Sequence, residues 1–227
     1  MDNFLYLTLN IVSIIIPLSL SFENRVQYHK KFKGFLPGLL ITIFIFIIWD
    51  IIFTKYGVWG FNNAYLIGIT IFELPLEEWL FFFCIPYASI FIHYCKEELI
   101  PWFVCSKGLT KRIAILSIIF LLILSFININ QYYTLICFLF TSLLIGLVYV
   151  RHSSLLSSFL TSYIIILIPF FIINGVLTGS FIINEIVWYN NEHNLGIRLW
   201  TIPFEDIFYG FSLLLTPLYL MKELEQR

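Results

Sequence analysis

The chain has 227 residues, 60% hydrophobic and only 12% charged, with a formal net charge of -1 and a mean hydropathy of +0.92. A water-soluble domain carries roughly a quarter charged residues, so a soluble enzyme and a nucleic-acid-binding protein are both excluded. In lipid every backbone polar group must be satisfied within the segment, so spans built from runs this apolar are helices; the expected fold class is an all-α polytopic membrane protein.

Seven segments reach the about 17–25 apolar residues a bilayer span needs. The first, about 4–22, follows Asp2 rather than a basic stretch and has no small-x-small cleavage site, so it is expected to be a retained span and not a signal peptide. The second runs over about 35–53 and closes on Trp49 and Asp50. The third, about 76–95, opens on ELPLEEWL (73–80), with Glu77 and Glu78 side by side. The fourth, fifth and sixth cover about 113–129, 132–150 and 155–174, the sixth closing on Asn174. The seventh, about 203–221, opens on IPFEDIFYGF (202–211), where Glu205 and Asp206 repeat the acidic pair.

Alternating sides place Arg25, Lys30, Lys31, Lys33, Lys96, Lys107, Lys111, Arg112, Arg151, Lys222 and Arg227 together and leave Lys55 and Arg198 opposite. The positive-inside rule then puts the N-terminus outside and the C-terminus in the cytoplasm of a cell inner membrane. Cys84, Cys95, Cys105 and Cys137 are scattered without a Cys-x-x-Cys pair and are expected to be buried thiols.

The chain also resembles itself. VWGFNNAYLIGITIFELPLEEWLFFF (58–83) aligns with VWYNNEHNLGIRLWTIPFEDIFYGF (187–211) at an offset of 129 that becomes 128 before the glycine. Val58 and Trp59 match Val187 and Trp188, Asn62 matches Asn191, Gly68 matches Gly196, and Pro75, Glu77 and Glu78 match Pro203, Glu205 and Asp206. The expected organisation is a three-helix repeat in 1–95, a loop and linking helix in 96–131, and a second three-helix repeat in 132–227. An odd linking helix gives both repeats the same orientation, so they pack about a pseudo-twofold axis along the membrane normal.

Both acidic pairs, with Asp50, then lie at one depth near the outer boundary of the hydrocarbon, joined by Trp49 and Asn174. Acids in the membrane are expensive and mark function by default. A single pair after proline would serve equally as a helix cap complementing the macrodipole; two matched copies favour chemistry. Crowded carboxyls in an apolar cavity share protons, which suits a proton donor to a weakly basic, apolar substrate. Trp49, Trp59, Trp79, Trp188, Trp200 and Tyr209 gather in sequence around this layer; aromatic faces stabilise cations, although Trp and Tyr also form ordinary interfacial belts.

WDIIFTKYGVWGFN (49–62), LPLEEWLFFFCIPYA (74–88) and IPFEDIFYGF (202–211) within a doubled three-helix domain resemble the integral-membrane, flavin-independent lycopene cyclases. The resemblance spans nearly the whole chain. It implies a proton-initiated, non-redox closure of the ψ end groups of lycopene to ionone rings of the β type, without cofactor or metal. It implies Glu77, Glu78, Glu205 and Asp206 as the acidic motif residues. Glu77 and Glu205, the first acids, are expected to handle protons, with Glu78 and Asp206 tuning them or returning the proton. Trp49, Asp50, Trp59, Asn62, Trp79, Asn174, Trp188, Arg198 and Tyr209 are expected to contact substrate or its cation. The implied partners are a carotenoid substrate, membrane lipids and other carotenoid-pathway enzymes, with no nucleic acid.

Two other readings stay open from the residues alone. A transporter or proton-coupled channel could use the same acidic layer. An intramembrane prenyltransferase needs Asp-rich motifs that hold Mg²⁺ on pyrophosphate, and the adjacent pairs here lack a third acid at that spacing. No G-x-G-x-x-G is present for a flavin, and His29, His93, His152 and His193 are too far apart for a di-iron motif.

Overall fold

The apolar runs become seven α-helices in a computed structural model that describes residues 2–225. They are α1 (Leu5–Leu20), α2 (Tyr28–Lys55), α3 (Leu76–Leu99), α4 (Lys107–Ile127), α5 (Tyr132–Arg151), α6 (Ser153–Leu177) and α7 (Phe204–Glu225). Five of them, α2 to α6, are long and apolar enough to cross a bilayer. With 16 residues, α1 covers roughly 24 Å at 1.5 Å per residue, short of the ~30 Å hydrocarbon layer. Helix α7 has 22 residues but carries Glu205, Asp206, Lys222, Glu223 and Glu225. The protein is a mainly helical, multi-pass membrane protein, and the expected seven spans reduce to five that meet the criterion by length and composition.

The expected limits shift at the basic connections. Stretch 23–34, expected as a loop, is helical from Tyr28, and α4 begins at Lys107 behind Ser106, whose side chain accepts from the Leu109 amide at 3.3 Å. Lysine and arginine stems let a helix run past the hydrocarbon while their heads reach the interface. Lys96, also expected in a loop, is instead buried inside α3, where its Nζ donates to Ser158 Oγ at 2.8 Å and Ser158 O at 3.2 Å.

An all-helical expectation misses three short antiparallel ribbons. These pair β1 (Trp59–Phe61) with β4 (Val187–Tyr189), β2 (Thr70–Ile71) with β3 (Leu74–Pro75), and β5 (Arg198–Leu199) with β6 (Ile202–Pro203). Strands of two or three residues are too short to show a period in sequence.

Hydrogen bonds fix how the two repeats correspond. The Asn62 amide donates to Ile186 O at 2.8 Å and the Asn190 amide to Val58 O at 2.9 Å; the Leu76 amide donates to Ile69 O and the Phe204 amide to Ile197 O. Asn62 Oδ1 accepts from the Ala64 amide and Asn190 Oδ1 from the Glu192 amide. Each partner lies 128 residues on, so Trp59 corresponds to Val187, Gly60 to Trp188, Phe61 to Tyr189 and Asn62 to Asn190. The expected offset of 129 over this stretch, matching Trp59 with Trp188 and Asn62 with Asn191, is thus off by one. Side chains alternate faces along a strand, so a slip of one exchanges inward for outward.

The two repeats interlock. Helix α1 packs on α3 as α5 packs on α7, while α2 packs on α7 and α6 on α3, each across the repeat boundary. At Gly38 a Cβ would stand 2.6 Å from Pro217 O, so only glycine lets α2 approach α7 this closely. Helix α4 leans on α5 and α6. At the centre β1 and β4 join one repeat to the other, and Trp188 lies across Gly60, where a Cβ would come within 2.3 Å of its ring.

Candidate active site

Adjacent residues of a helix point about 100° apart, and the first turns of α3 and α7 use that divergence. Pro75 caps α3 one position ahead of its first helical residue, and Glu77 and Glu78 follow within the first turn. Glu77 turns back toward the preceding loop, where Oε1 accepts from the Ile67 amide at 2.7 Å. Glu205 does the same at Leu195, also at 2.7 Å, and accepts from Thr134 Oγ1 at 2.6 Å. Both are fully buried, and neither lines the cavity described next.

Glu78 and Asp206 point the other way, into one cavity of about 520 Å³ enclosed mainly by α1, α3, α6 and α7. Its end beside the acids is closed by the inward face of the β1–β4 ribbon, with Trp59, Phe61, Val187 and Tyr189. A phenol from the first helix of each repeat holds each acid: Tyr6 donates to Glu78 Oε2 at 2.5 Å, and Tyr133 to Asp206 Oδ1 at 2.6 Å. Tyr189 adds a second phenol on Asp206 Oδ2 at 3.0 Å. Burial, and then the neighbouring Asp206 carboxyl, push the Tyr189 phenol above its ordinary value and keep it a donor. Glu78 Oε1 has no protein partner among the described residues.

A third acid shares the space. Asp50 lines the cavity, accepts from Trp59 Nε1 at 2.5 Å through Oδ1, and leaves Oδ2 buried without a partner. Glu77 Oε2 and Glu205 Oε2 are likewise buried without a partner among the described residues; what sets Asp50 apart is that it lines the cavity. Asp50 has no acidic counterpart. The turns ending α2 and α6 match at an offset of 122: Tyr56 donates to Ile52 O as Thr178 does to Asn174 O, and Val58 to Phe53 O as Ser180 does to Gly175 O. Ile172 therefore stands where the first repeat has Asp50, and Asn174, which also lines the cavity, corresponds to Ile52.

The aromatic wall around the acids is continuous. Trp59 meets Tyr133 at 5.1 Å between ring centroids, Tyr133 stacks on Tyr189 at 6.0 Å, and Tyr209 lies 6.2 Å from both Trp59 and Tyr133. Such faces are suited to a carbocation in a space with little water.

A protein-family model described as lycopene cyclase matches residues 3–96 and again residues 130–224. The chain belongs to the lycopene cyclase family. No curated protein and no solved structure matches it. Family membership supports an enzyme that cyclises lycopene and sets aside the transporter and prenyltransferase readings. The two matched stretches agree with the two interlocked sets of three helices, α1–α3 and α5–α7.

Of the residues expected at the site, the fold gathers Asp50, Trp59, Glu78, Asn174, Asp206 and Tyr209 around the cavity. Trp49 lies behind Tyr209, 5.2 Å away, and does not reach the cavity. Asn62 caps a turn, and Trp79 donates from Nε1 to Ile71 O at 3.2 Å. Trp188 is turned to the outer face of the ribbon by the register, and Trp200 is 76% exposed. Arg198 donates to Asn191 Oδ1 at 2.6 Å and lies over the Tyr189 ring, 5.6 Å from its centroid. Glu77 and Glu205, the first acids expected to handle protons, accept from loop amides and do not line the cavity. Sequence reasoning missed Tyr6, Tyr133 and Tyr189, because a tyrosine in an apolar helix or an interfacial loop carries no motif; the available signal was a tyrosine opening the first helix of each repeat.

Proposed function

We infer that the chain closes the ψ end groups of lycopene to β-type ionone rings by proton transfer within this cavity. The reading rests on one observation: Glu78 and Asp206, the second acids of two matched motifs, face a single apolar cavity, each held by a phenol of its own repeat. Glu78 gives its proton from the unpartnered Oε1 to the terminal double bond, leaving a tertiary cation. The internal alkene attacks that cation and closes the six-membered ring, placing the charge on a ring carbon beside Trp59, Tyr133 and Tyr209. Asp206, supplied with two phenol donors that satisfy its anion, removes a ring proton, and the proton returns across the cavity to Glu78. Substrate and product are isomers, so the balance calls for no oxidant or reductant. Asp50 lies beside this path and serves as a further carboxyl group facing the cation. The β type is carried over from the family resemblance.

The same reading makes α1 and α7 complete seven crossings, with α4 as the linker between repeats. The β1–β4 end then faces outward, and the lysine- and arginine-rich end faces the cytoplasm across a cell inner membrane. Expression in lycopene-accumulating bacteria tests the function directly. Conversion of lycopene to ring-bearing carotene is expected; unchanged lycopene with the protein present in the membrane refutes it, and the ring type of the product decides β against ε or γ.

A further inference from the structure

Lycopene dissolves in the bilayer, not in water, so its route to buried acids must begin in lipid. The wall of the cavity shows where. Its lining residues that are more than half exposed are Val12 (54%), Ile16 (63%) and Ile172 (61%), and all three belong to α1 and α6. The cavity therefore reaches the lipid-facing surface between these two helices.

The correspondence of the repeats explains why the opening lies there and not also at the symmetric place, between α5 and α2. On α1 and α5 the phenols Tyr6 and Tyr133 correspond, as do Asn10 and Cys137, whose side chains donate to Glu77 O and Glu205 O. At that offset of 127, Ser13 corresponds to Phe140. Phe140 fills the α2–α5 gap, packing edge-on against Phe46 and Trp49 of α2, each at 5.8 Å. Ser13 leaves the matching position small and lines the cavity, with its hydroxyl tied back to Asn10 O at 2.7 Å. One repeat carries the plug and the other lacks it.

The length of the cavity adds a second constraint. Along α3 it extends from Glu78 to Ile92, roughly 21 Å at 1.5 Å per residue. An extended lycopene is about as long as the ~30 Å hydrocarbon layer is thick, so the whole molecule does not fit.

We propose that the polyene enters sideways from the bilayer between α1 and α6, past Ser13, Ile16 and Ile172, and inserts one end while the remainder stays in lipid. This rests on the cyclase reading above and adds the route and the one-end-at-a-time mode. The occupant of the gap is the uncyclised remainder of the substrate.

The test uses the full chain in lycopene-loaded vesicles. Ser13→Phe reproduces the Phe140 plug and is expected to slow cyclisation about tenfold or more, with ring type unchanged, equivalent to at least roughly 1.4 kcal/mol on the rate. Ile172→Trp, at the lipid-facing rim, is expected to act in the same direction and keeps the test open if Ser13→Phe fails to insert. Leu143→Trp, 62% exposed on α5 and outside the cavity, should leave the rate within about twofold. A lycopene analogue with a bulky aryl cap on one end should still be cyclised at its free end. Wild-type rates in both portal variants, or rejection of the capped analogue by an enzyme that cyclises lycopene, overturn the proposal. A wild-type chain that cyclises nothing instead overturns the underlying function.

Discussion

The two repeats reach the cavity with the same parts and different details. Each brings a second-position acid, Glu78 or Asp206, and a tyrosine from its first helix. Asp206 gains a second phenol because Tyr189 stands where the first repeat has Phe61, while the first repeat keeps Asp50 where the second has Ile172. The first repeat leaves a gap at Ser13 and the second fills it with Phe140. Two matched halves thus build one asymmetric cavity, and the proposed proton donor, proton acceptor and lateral entrance each use one of its asymmetries. Symmetry supplies the scaffold, and the departures from it supply direction.

The sharpest way to break this comparison is to neutralise the inward acids one at a time. Glu78→Gln and Asp206→Asn should each reduce cyclisation by about 10²–10⁴-fold, the range for loss of a general acid or base, while the protein still inserts, as measured by product yield per membrane-bound enzyme. Comparable activity in both variants and wild type would remove the acid–base assignment. The phenols come next. Tyr6→Phe strips Glu78 of its one phenol donor, whereas Tyr189→Phe leaves Asp206 with Tyr133. A hydrogen bond to a charged group is worth about 1.5–3 kcal/mol, so Tyr6→Phe should cost about ten- to hundredfold in rate and Tyr189→Phe less. Rates in the opposite order would reverse the donor and acceptor roles given to the two acids.

The smallest catalytic effect is expected at the buried first acids, which are turned away from the cavity. Glu77→Ala leaves the Ile67 amide without its acceptor and should lower stability by about 1–3 kcal/mol, read as an earlier thermal transition in detergent. The rate per folded molecule should stay within a few fold of wild type. A large loss of rate at unchanged stability would bring the first acids back into the chemistry.

Much of this was legible in the sequence. Composition alone dictates a membrane protein, because so few charges cannot clothe a soluble surface of this length. The paired Pro-x-acid-acid motifs are local and survive any packing, so the doubling, the four acids and the outlying Asp50 could be read before any fold was known. The register of the repeat could not. Val-Trp occurs in both copies, and identity favoured aligning them, yet the hydrogen bonds between β1 and β4 set the correspondence one residue away and send Trp188 to the outside. Arg198 and Trp79 looked equally suited to the site and were claimed by local loop contacts.

Sequence by itself determined the solvent this chain lives in, its two-fold construction and the short set of acids available for chemistry, since each follows from composition or from neighbours along the chain. Only the tertiary structure decided which acid of each pair faces the cavity, which tyrosines hold them, and which of two equivalent gaps stays open. Those choices depend on the rotation of helices against loops and on contacts between residues such as Tyr6 and Glu78, or Trp49 and Phe140, that lie far apart in the chain and leave no periodic trace in it.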